Sequence, residues 1–305
     1  MIYTVTLNPA IDYVIRADEL KIGEINRTSS ENIFFGGKGI NVSFILSELG
    51  IKSTAFGFVA GFTGDAIEKG VKEKGIEADF VRVVTGFTRI NVKINSVFET
   101  EINGRGPIID EYALRMFFMK LEKIKSGDTL ILAGSVPGSL PSDMYERILS
   151  MLSHKGIRVI VDASGELLLN VLKYNPFLIK PNIHELGELF DTKVETTEQV
   201  TFYASKLQEM GAKNVLVSMG ADGAILLDED GVFHSCDACK GEVKNTVGAG
   251  DSMVAGFIAG YESGGYEHAL KLGTACGSAT AFSDGLAHKF AIARYMHELT
   301  NSKPW

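Results

Sequence analysis

The segment with the clearest chemical potential runs from Asn245 to Asp251 and reads Asn-Thr-Val-Gly-Ala-Gly-Asp. Gly248, Ala249 and Gly250 precede an apolar pattern with helical spacing, so their backbone N–H groups are predicted to lie at a helix N-terminus. Amides in that position bind an anion or stabilise a developing negative charge. Asp251 is a candidate general base, although an Asp in a first helical turn can also simply complement the helix dipole. The combination of amides and carboxylate favours the transfer of an anionic group.

A second glycine-rich segment, residues 36–41 (Gly-Gly-Lys-Gly-Ile-Asn), is also predicted to open a helix. It is not a Walker A loop, because Asn32 stands where that loop needs its first Gly and Gly39 replaces the Ser or Thr that holds Mg²⁺. Met253 likewise breaks a dinucleotide-binding glycine pattern. A nucleotide site in this chain must therefore use another geometry. Lys38 is either a solvated lysine on a turn or a cation for a substrate phosphate.

The elements that must position these residues follow an alternating pattern of short apolar runs and amphipathic helices, which is typical of a parallel α/β sheet. Buried strands are predicted over residues 53–60, Thr129–Ala133, Arg158–Asp162, Phe177–Lys180 and Asn214–Ser218. Small and polar residues follow the last four of these strands. Because ligands bind at the carboxyl ends of parallel strands, this edge of the sheet is the predicted site.

Two segments interrupt the alternation, residues 11–35 and 88–102. In the second, apolar residues at positions 90, 92 and 94 alternate with polar residues at 89, 91, 93 and 95, which predicts a half-exposed strand. We interpret the two segments as a small separate sheet. Its polar face is either solvated or covers a site, and periodicity alone favours the solvated face.

The composition excludes several classes of partner. The chain has 305 residues, 38 acidic and 30 basic, and a formal net charge of −8, so it lacks the basic surplus that binds nucleic acid or an anionic membrane. We find neither an apolar run of about 20 residues nor a secretory signal pattern, and we therefore expect a cytoplasmic protein. Cys236 and Cys239 form a lone Cys-x-x-Cys pair without further ligands at zinc spacing, which does not indicate a metal or redox site.

Taken in order along the whole chain, these motifs resemble the ribokinase-like sugar kinases. Within that family the sequence looks closest to the branch that contains 1-phosphofructokinase and tagatose-6-phosphate kinase. The segments that carry the resemblance are residues 6–12, 36–42, 88–93, 133–137, 179–186 and 245–252. The first and last glycine-rich signatures are specific when they occur together.

The resemblance implies a fold and an assembly. The chain over residues 1–305 would be a single ribokinase-like α/β domain with three α/β/α layers and a mainly parallel central sheet. The two odd segments, about 11–35 and 86–106, would form a small β-sheet lid. The lids of two copies would pair into a homodimer.

The resemblance also assigns roles to individual residues. Asp251 would be the base that accepts a proton from the acceptor hydroxyl, and the amides of Gly248, Ala249 and Gly250 would hold the transferring phosphoryl group. The sugar phosphate would be bound by Asp12, Gly36, Gly37, Lys38, Asn41, Arg89 and Ser135. ATP would be bound by Lys180, Asn182, Ser218, Gly220, Gly223 and Thr246. Glu185 would position Mg²⁺.

The implied function is an ATP- and Mg²⁺-dependent kinase that phosphorylates D-fructose 1-phosphate at O6. A tagatose-6-phosphate kinase is the alternative, because its substrate places the phosphate and the acceptor hydroxyl at opposite ends of a similar sugar. A sugar-phosphate sensor without turnover is a third hypothesis. It would require loss of the base or the glycines, and Asp251, Gly248 and Gly250 are all present.

Overall fold

The computed structural model describes residues 1–301, in which helices pack on both faces of a central β-sheet and a second sheet stands beside it. The strands β1 to β14 are Ile2–Thr6, Ala10–Arg16, Ser30–Gly36, Ser53–Ala60, Glu77–Ala78, Val81–Val83, Arg89–Asn95, Glu99–Asn103, Thr129–Ala133, Arg158–Asp162, Leu178–Ile179, Asn214–Ser218, Ala224–Leu227 and Phe233–Cys236. The helices α1 to α9 are Lys38–Glu48, Gly61–Glu73, Glu111–Leu121, Met144–Leu152, Gly165–Leu169, Ile183–Leu189, Thr197–Glu209, Ala249–Ala281 and Lys289–Asn301.

The central sheet has the order β14-β13-β12-β11-β10-β9-β1-β4-β5, and β6 also pairs with β4. All neighbours from β12 through β5 run parallel, whereas β13 and β14 add antiparallel strands at one edge. The predicted mainly parallel sheet is confirmed. Its parallel strands place their carboxyl ends along one edge, where the glycine-rich segments lie.

The strands are apolar on both faces because both faces are covered by helices. In β9, Leu130 and Leu132 pack into one core with α3, α4 and α7, while Ile131 and Ala133 pack into the other with α1, α8 and α9. This alternation along a single strand produces the three α/β/α layers that the sequence predicts.

Helix α8 is the most deeply buried helical segment that the site depends on. Every residue from Asp251 to Gly260 is buried, so the apolar face expected there extends around the whole helix. Gly265 interrupts α8 with φ 76°, a left-handed conformation that a glycine adopts without steric cost. The first half of α8 is therefore held rigidly in the core, with its N-terminus at the carboxyl edge of the sheet.

The second sheet has the order β3-β2-β7-β8 and is built from the two odd segments. The alternation predicted for β7 is confirmed, but its polar face is not solvated: Asn91 is 7% exposed and the Lys93 side chain 12%. The solvated face that periodicity alone favours is therefore wrong, and the buried Asn91 and Lys93 side chains support a polar face that covers a site.

Sequence reasoning gives the remaining boundaries closely, with one exception. The strand predicted over Phe177–Lys180 is reduced to Leu178–Ile179. Phe177 and Lys180 flank these two residues and still donate backbone hydrogen bonds to the Val159 and Val161 carbonyl oxygens, at 2.7 and 3.4 Å, so the difference is one residue at each end. Residues 302–305 of the expected single domain lie outside the described residues. In residues 1–301 we find no helix with the length and apolarity needed to cross a membrane.

Candidate active site

The glycine-rich turn at residues 36–39 holds the start of α1 against β1. Gly37 has φ 120°, and a Cβ there would lie 2.5 Å from the Thr6 Cγ2, so the position requires glycine. The Thr6 hydroxyl accepts a hydrogen bond from the Ile40 N–H at 3.0 Å. These contacts fix the first turn of α1, which carries Lys38 and Asn41 to the carboxyl edge of the sheet.

The candidate base Asp251 lies in the first turn of α8 and is 5% exposed. Its Oδ2 accepts a hydrogen bond from the Asn41 Nδ2 at 2.8 Å. Burial and, after it, the nearby Asp162 carboxylate raise the pKa of Asp251 to about 7, against the opposing effects of Asn41, Lys38 and Lys180. A carboxyl group that titrates near neutral pH is suited to accept a proton from an alcohol.

The amides beside Asp251 form a smaller cradle than predicted. Gly248 adopts the left-handed conformation with φ 81° and closes a turn, in which the Ala249 N–H donates to the Thr246 carbonyl oxygen at 3.2 Å. The Ala249 amide is therefore engaged within the chain. Within residues 1–301 the N–H groups of Gly248 and Gly250 have no acceptor, and these two make up the amide cradle.

Two lysines share one buried carboxylate beside the cradle. The Lys38 Nζ donates to the Asp162 Oδ1 at 3.2 Å, and the Lys180 Nζ lies 3.5 Å from the same oxygen. Lys180 also adjoins Gly250, since a Cβ at residue 250 would lie 3.1 Å from its Nζ. Burial acts to raise the pKa of Asp162, but the two ammonium groups outweigh it and hold that pKa below its ordinary value.

A second group of polar residues lies on the inner face of the small sheet. Asp12 Oδ1 accepts a hydrogen bond from the Asn91 Nδ2 at 2.8 Å, and its Oδ2 lies 3.7 Å from the Lys93 Nζ. A Cβ at Gly36 would lie 3.1 Å from that Oδ2, so this glycine allows the turn to approach Asp12. The Asn91 Oδ1 is buried without a protein partner in residues 1–301, which leaves an acceptor for a ligand hydroxyl.

Arg89 and Ser135 occupy the two flanks of this region. The Arg89 Nε donates to the Asn8 carbonyl oxygen at 3.1 Å, which leaves the terminal nitrogens of the guanidinium for a ligand. Burial lowers the pKa of Arg89, against the attraction of Asp12. Ser135 is exposed and follows Gly134 in the chain. A Cβ atom added to Gly134 would lie 3.7 Å from the Lys38 Cβ. Ser135 therefore lies in the neighbourhood of Lys38.

Most of the residues predicted to bind ATP follow β11 or β12, whereas Thr246 lies in the loop before α8. Asn182 and Ser218 form a parallel β-bridge, and Gly220, with φ 61°, opens the turn that follows. Gly223 is buried, and a Cβ there would lie 2.0 Å from the Cys236 carbonyl oxygen. Close packing between strands therefore already accounts for Gly223, without a nucleotide.

A cleft of about 1,230 Å³ separates the small sheet from the main body. Asp12 and Lys93 line it from the sheet, Asn41 and Phe44 line it from α1, and Thr246 lines it from the opposite loop. Among the predicted residues, Asp12, Gly36, Asn41 and Thr246 are on its wall. Asp251 is not among the lining residues, but it is hydrogen-bonded to Asn41, which is.

Glu185 was predicted to position Mg²⁺. Its Oε2 accepts a hydrogen bond from the Asn182 N–H at 2.8 Å, while the Asn182 side chain accepts from the Glu185 N–H, a reciprocal cap at the start of α6. Residues 1–301 contain no cluster of three or more candidate metal ligands. Mg²⁺ characteristically takes one or two carboxylates together with substrate phosphates and water, and a single half-buried Glu185 fits that mode.

The paired cysteines lie away from this machinery. Cys236 is half-buried at the end of β14 and Cys239 is buried against α8. Burial raises the pKa of Cys239 to about 11 and also raises that of Cys236, so neither thiol is readily ionised near neutral pH.

Sequence reasoning assigned no individual contact to three polar residues that the fold brings to the site. The family resemblance implied that the polar face of β7, which carries Asn91 and Lys93, turns toward the sugar phosphate, but it named no partner for either residue. Asp162 was noted as the polar end of β10 without a partner. The available signals were strand alternation for Asn91 and Lys93 and the position at the carboxyl end of a strand for Asp162. Polar residues also occur at such positions simply because they face solvent or end a strand.

The site therefore brings two lysines and two free amides to the neighbourhood of a buried carboxyl group. Phosphoryl transfer depends mainly on positioning and on electrostatic stabilisation, which lysines and free amides supply. With the ribokinase-like fold, this arrangement defines a sugar kinase.

Comparisons with known proteins agree. The model of the pfkB family of carbohydrate kinases matches residues 5–291. The chain is 45% identical to the 1-phosphofructokinase of Bacillus subtilis over 98% of both chains, and 41% identical to the D-tagatose-1-phosphate kinase of Bacillus licheniformis over 94% of both. The structure of Escherichia coli phosphofructokinase-2 with substrates and products superposes with a TM-score of 0.92 at 28% identity, covering 98% of this chain and 99% of that one. The chain belongs to the pfkB family of carbohydrate kinases.

Proposed function

We propose that the protein transfers the γ-phosphoryl group of ATP to O6 of D-fructose 1-phosphate, yielding fructose 1,6-bisphosphate and ADP. The observation that carries the proposal is the buried Asp251 carboxyl group, which lies between Asn41 on the sugar side and the cradle amides on the phosphoryl side. The 1-phosphofructokinase of Bacillus subtilis supports the choice of sugar.

In the proposed reaction, Asp251 accepts the proton of the O6 hydroxyl as that oxygen forms its bond to phosphorus. The Gly248 and Gly250 amides, together with the α8 dipole, stabilise the negative charge that is redistributed during transfer. Lys180 adds a cation next to Gly250. Because Asp251 titrates near neutral pH, a substantial fraction is ionised under physiological conditions.

Mg²⁺, when bound with ATP, neutralises phosphate charge and orients the transferring group. In our proposal, Glu185 holds the ion through water, since one of its oxygens is already committed to capping α6. Lys180, Asn182, Ser218, Gly220 and Thr246 form the nucleotide side of the site.

The phosphate already on the sugar is assigned to Lys38, Arg89 and Ser135, and the sugar hydroxyls to Asp12, Asn41 and the Gly36–Gly37 backbone. Arg89 offers a planar fork that matches phosphate oxygens. Both curated relatives described above act, by name, on sugars phosphorylated at position 1, which favours O6 as the acceptor. D-tagatose 1-phosphate, which differs in one stereocentre, is therefore a second candidate substrate.

We also propose that the small sheet acts as a lid and that two lids pair in a cytoplasmic homodimer. Ile33, Tyr13, Val92 and Ile102 lie in register across the four strands on the outer face. Ile33 and Ile102 are 61% and 59% exposed, and a second copy would cover them. Sedimentation should show a dimer, and Ile33→Asp should shift it toward monomer.

An ADP-release assay with a sugar panel tests the function. The panel contains D-fructose 1-phosphate, D-tagatose 1-phosphate, D-fructose 6-phosphate, D-tagatose 6-phosphate and unphosphorylated fructose and ribose, each with and without Mg²⁺. We expect the highest kcat/KM for fructose 1-phosphate and no turnover in excess chelator. A preference for either 6-phosphate would reverse the assigned sugar orientation, and turnover of ribose alone would remove the role of the phosphate pocket.

A further inference from the structure

Asp162 pairs with two lysines of the site, Lys38 and Lys180. It ends β10, is 1% exposed, and its Oδ1 lies 3.2 Å from the Lys38 Nζ and 3.5 Å from the Lys180 Nζ. Its Oδ2 is buried and has no hydrogen-bond partner in residues 1–301. The same carboxylate oxygen therefore connects the lysine assigned to the sugar phosphate with the lysine assigned to ATP.

The two lysines depend on Asp162 to different degrees. The Lys180 side chain is 5% exposed, so loss of the Asp162 charge would leave its buried ammonium group with the neighbouring Asp251 carboxyl group in place of its partner, and we expect the ammonium group to shift. The Lys38 side chain is 38% exposed and could keep its charge in water. The Asp162 carboxylate instead fixes the orientation of the Lys38 side chain, because a lysine side chain otherwise samples many rotamers.

We infer that Asp162 is a positioning residue that holds the ammonium groups of Lys38 and Lys180 at a fixed separation, so that the sugar phosphate and ATP are bound in the alignment required for transfer. The inference rests on the proposed function. In this proposal Asp162 acts through the two lysines, so its loss should affect the binding of both ligands.

The test is Asp162→Asn, which keeps the side-chain shape and removes the charge. Isothermal titration calorimetry would measure the dissociation constants of fructose 1-phosphate alone and of a non-hydrolysable ATP analogue alone, the latter in chelator to exclude metal. We expect both dissociation constants to rise by about tenfold, because a change of that size corresponds to the loss of one charge-assisted hydrogen bond. We expect kcat/KM to fall by about 10²-fold, as for a misplacement near 1 Å.

Asp228→Asn is the matched control. Asp228 is 3% exposed and forms a 2.7 Å hydrogen bond with His234 in the β13–β14 region, so it is also a buried, hydrogen-bonded carboxylate, but it belongs to no part of the site. This variant should lose stability while keeping both dissociation constants. Equal losses of affinity in the two variants would reduce Asp162 to a general structural role.

A second comparison avoids the unpaired lysine. Lys180→Met alone should weaken binding of the ATP analogue and leave fructose 1-phosphate affinity unchanged. The double variant Lys180→Met, Asp162→Asn has no ammonium group at residue 180 that could be left unpaired. It removes the anchor of Lys38, so its affinity for fructose 1-phosphate should now fall. If that affinity is unchanged or improves, Asp162 merely competes with the ligand as an anion and the positioning role is wrong.

The result can be separated from failure of the proposed function. If wild-type protein fails to phosphorylate the sugar phosphates, the proposed function is wrong whatever Asp162 does. If wild type is active and Asp162→Asn keeps both affinities while the Mg²⁺ concentration for half-maximal rate rises, the free Oδ2 serves the metal and the inference is overturned.

Discussion

The Asn41 amide and the Asp251 carboxylate are joined by a 2.8 Å hydrogen bond between residues 210 positions apart in the chain. Each residue lies in the first turn of a helix that follows a glycine-rich segment, α1 for Asn41 and α8 for Asp251. The bond therefore locks the two anion-facing helix starts together. Helices α1 and α8 also pack in one core, where Val42 contacts the cluster that contains Val254.

Asp251→Asn should abolish turnover and leave sugar-phosphate affinity nearly intact, because the amide keeps the shape of the side chain but cannot accept the proton. We expect kcat to fall by at least about 10²–10⁴-fold, the usual contribution of a general base. Calorimetry with fructose 1-phosphate checks the affinity and the ADP-release assay checks kcat. Near-normal turnover would show that the base is another group.

The rate should depend on pH through Asp251. Since its pKa is about 7 and the ionised form is the active one, kcat/KM should decline as pH falls below about 7. The Asn41 hydrogen bond lowers that pKa, so Asn41→Ala should move the acid limb to higher pH in addition to weakening sugar binding. Measuring kcat/KM from about pH 5 to 9 for wild type and Asn41→Ala checks this. An acid limb at the same pH in both proteins would show that Asn41 does not influence the ionisation of Asp251.

Asp251 should also make stability depend on pH. Its native pKa of about 7 lies above the ordinary value of 3.8, so between these values the folded state retains a proton that the unfolded state has lost. The stabilisation that the proton on Asp251 contributes to the folded state is fully present below about pH 4. It declines as pH rises and is lost above about pH 7. The free energy of unfolding of Asp251→Asn minus that of wild type should therefore increase with pH, by at most about 1.4 kcal/mol per pH unit. Urea unfolding of ligand-free protein checks this; a margin independent of pH would contradict it.

The parts of the fold that follow from local pattern were predictable. The strand Thr129–Ala133 was correctly predicted from its sequence, because a short apolar run buried on both faces has few other uses in a chain with alternating helices. Gly50, with φ 77°, follows α1 as its position after the apolar pattern predicts. The ends of β11 were predicted one residue too far on each side, because Phe177 and Lys180 keep backbone hydrogen bonds to β10 and a strand boundary is the least certain part of a sequence-based assignment.

The candidate site was predictable where a residue sits inside a distinctive segment and unpredictable where its role depends on distant partners. Asp251 stands beside glycines that mark an anion site. Asp162, by contrast, acquires its character only from Lys38 and Lys180, which are 124 and 18 positions away along the chain. Likewise, the Ala249 amide was expected to face the phosphoryl group, and only the turn to Thr246 shows that it is engaged.

Arg89→Ala should mainly raise KM for the phosphorylated sugar, because the contact with a phosphate that does not react persists in both the ground state and the transition state. We expect a rise of about tenfold with little change in kcat. Arg82→Ala is the control, since Arg82 is exposed and pairs with Asp65 and Glu68 on the surface. A KM for fructose 1-phosphate that stays unchanged in Arg89→Ala would refute the phosphate role.

Gly250→Ala tests whether the contact between the amide cradle and Lys180 matters for transfer. The new Cβ would lie 3.1 Å from the Lys180 Nζ and 3.4 Å from its Cε, so the flexible end of the lysine must shift away from the cradle. We expect kcat to fall by about tenfold, while KM for the sugar phosphate changes little. Stability should be kept or improved, because alanine is the better helix former. Gly138→Ala, where a Cβ meets open space, should leave kcat unchanged. Equal kcat values in the two variants would mean that Lys180 does not act at the transferring phosphoryl group.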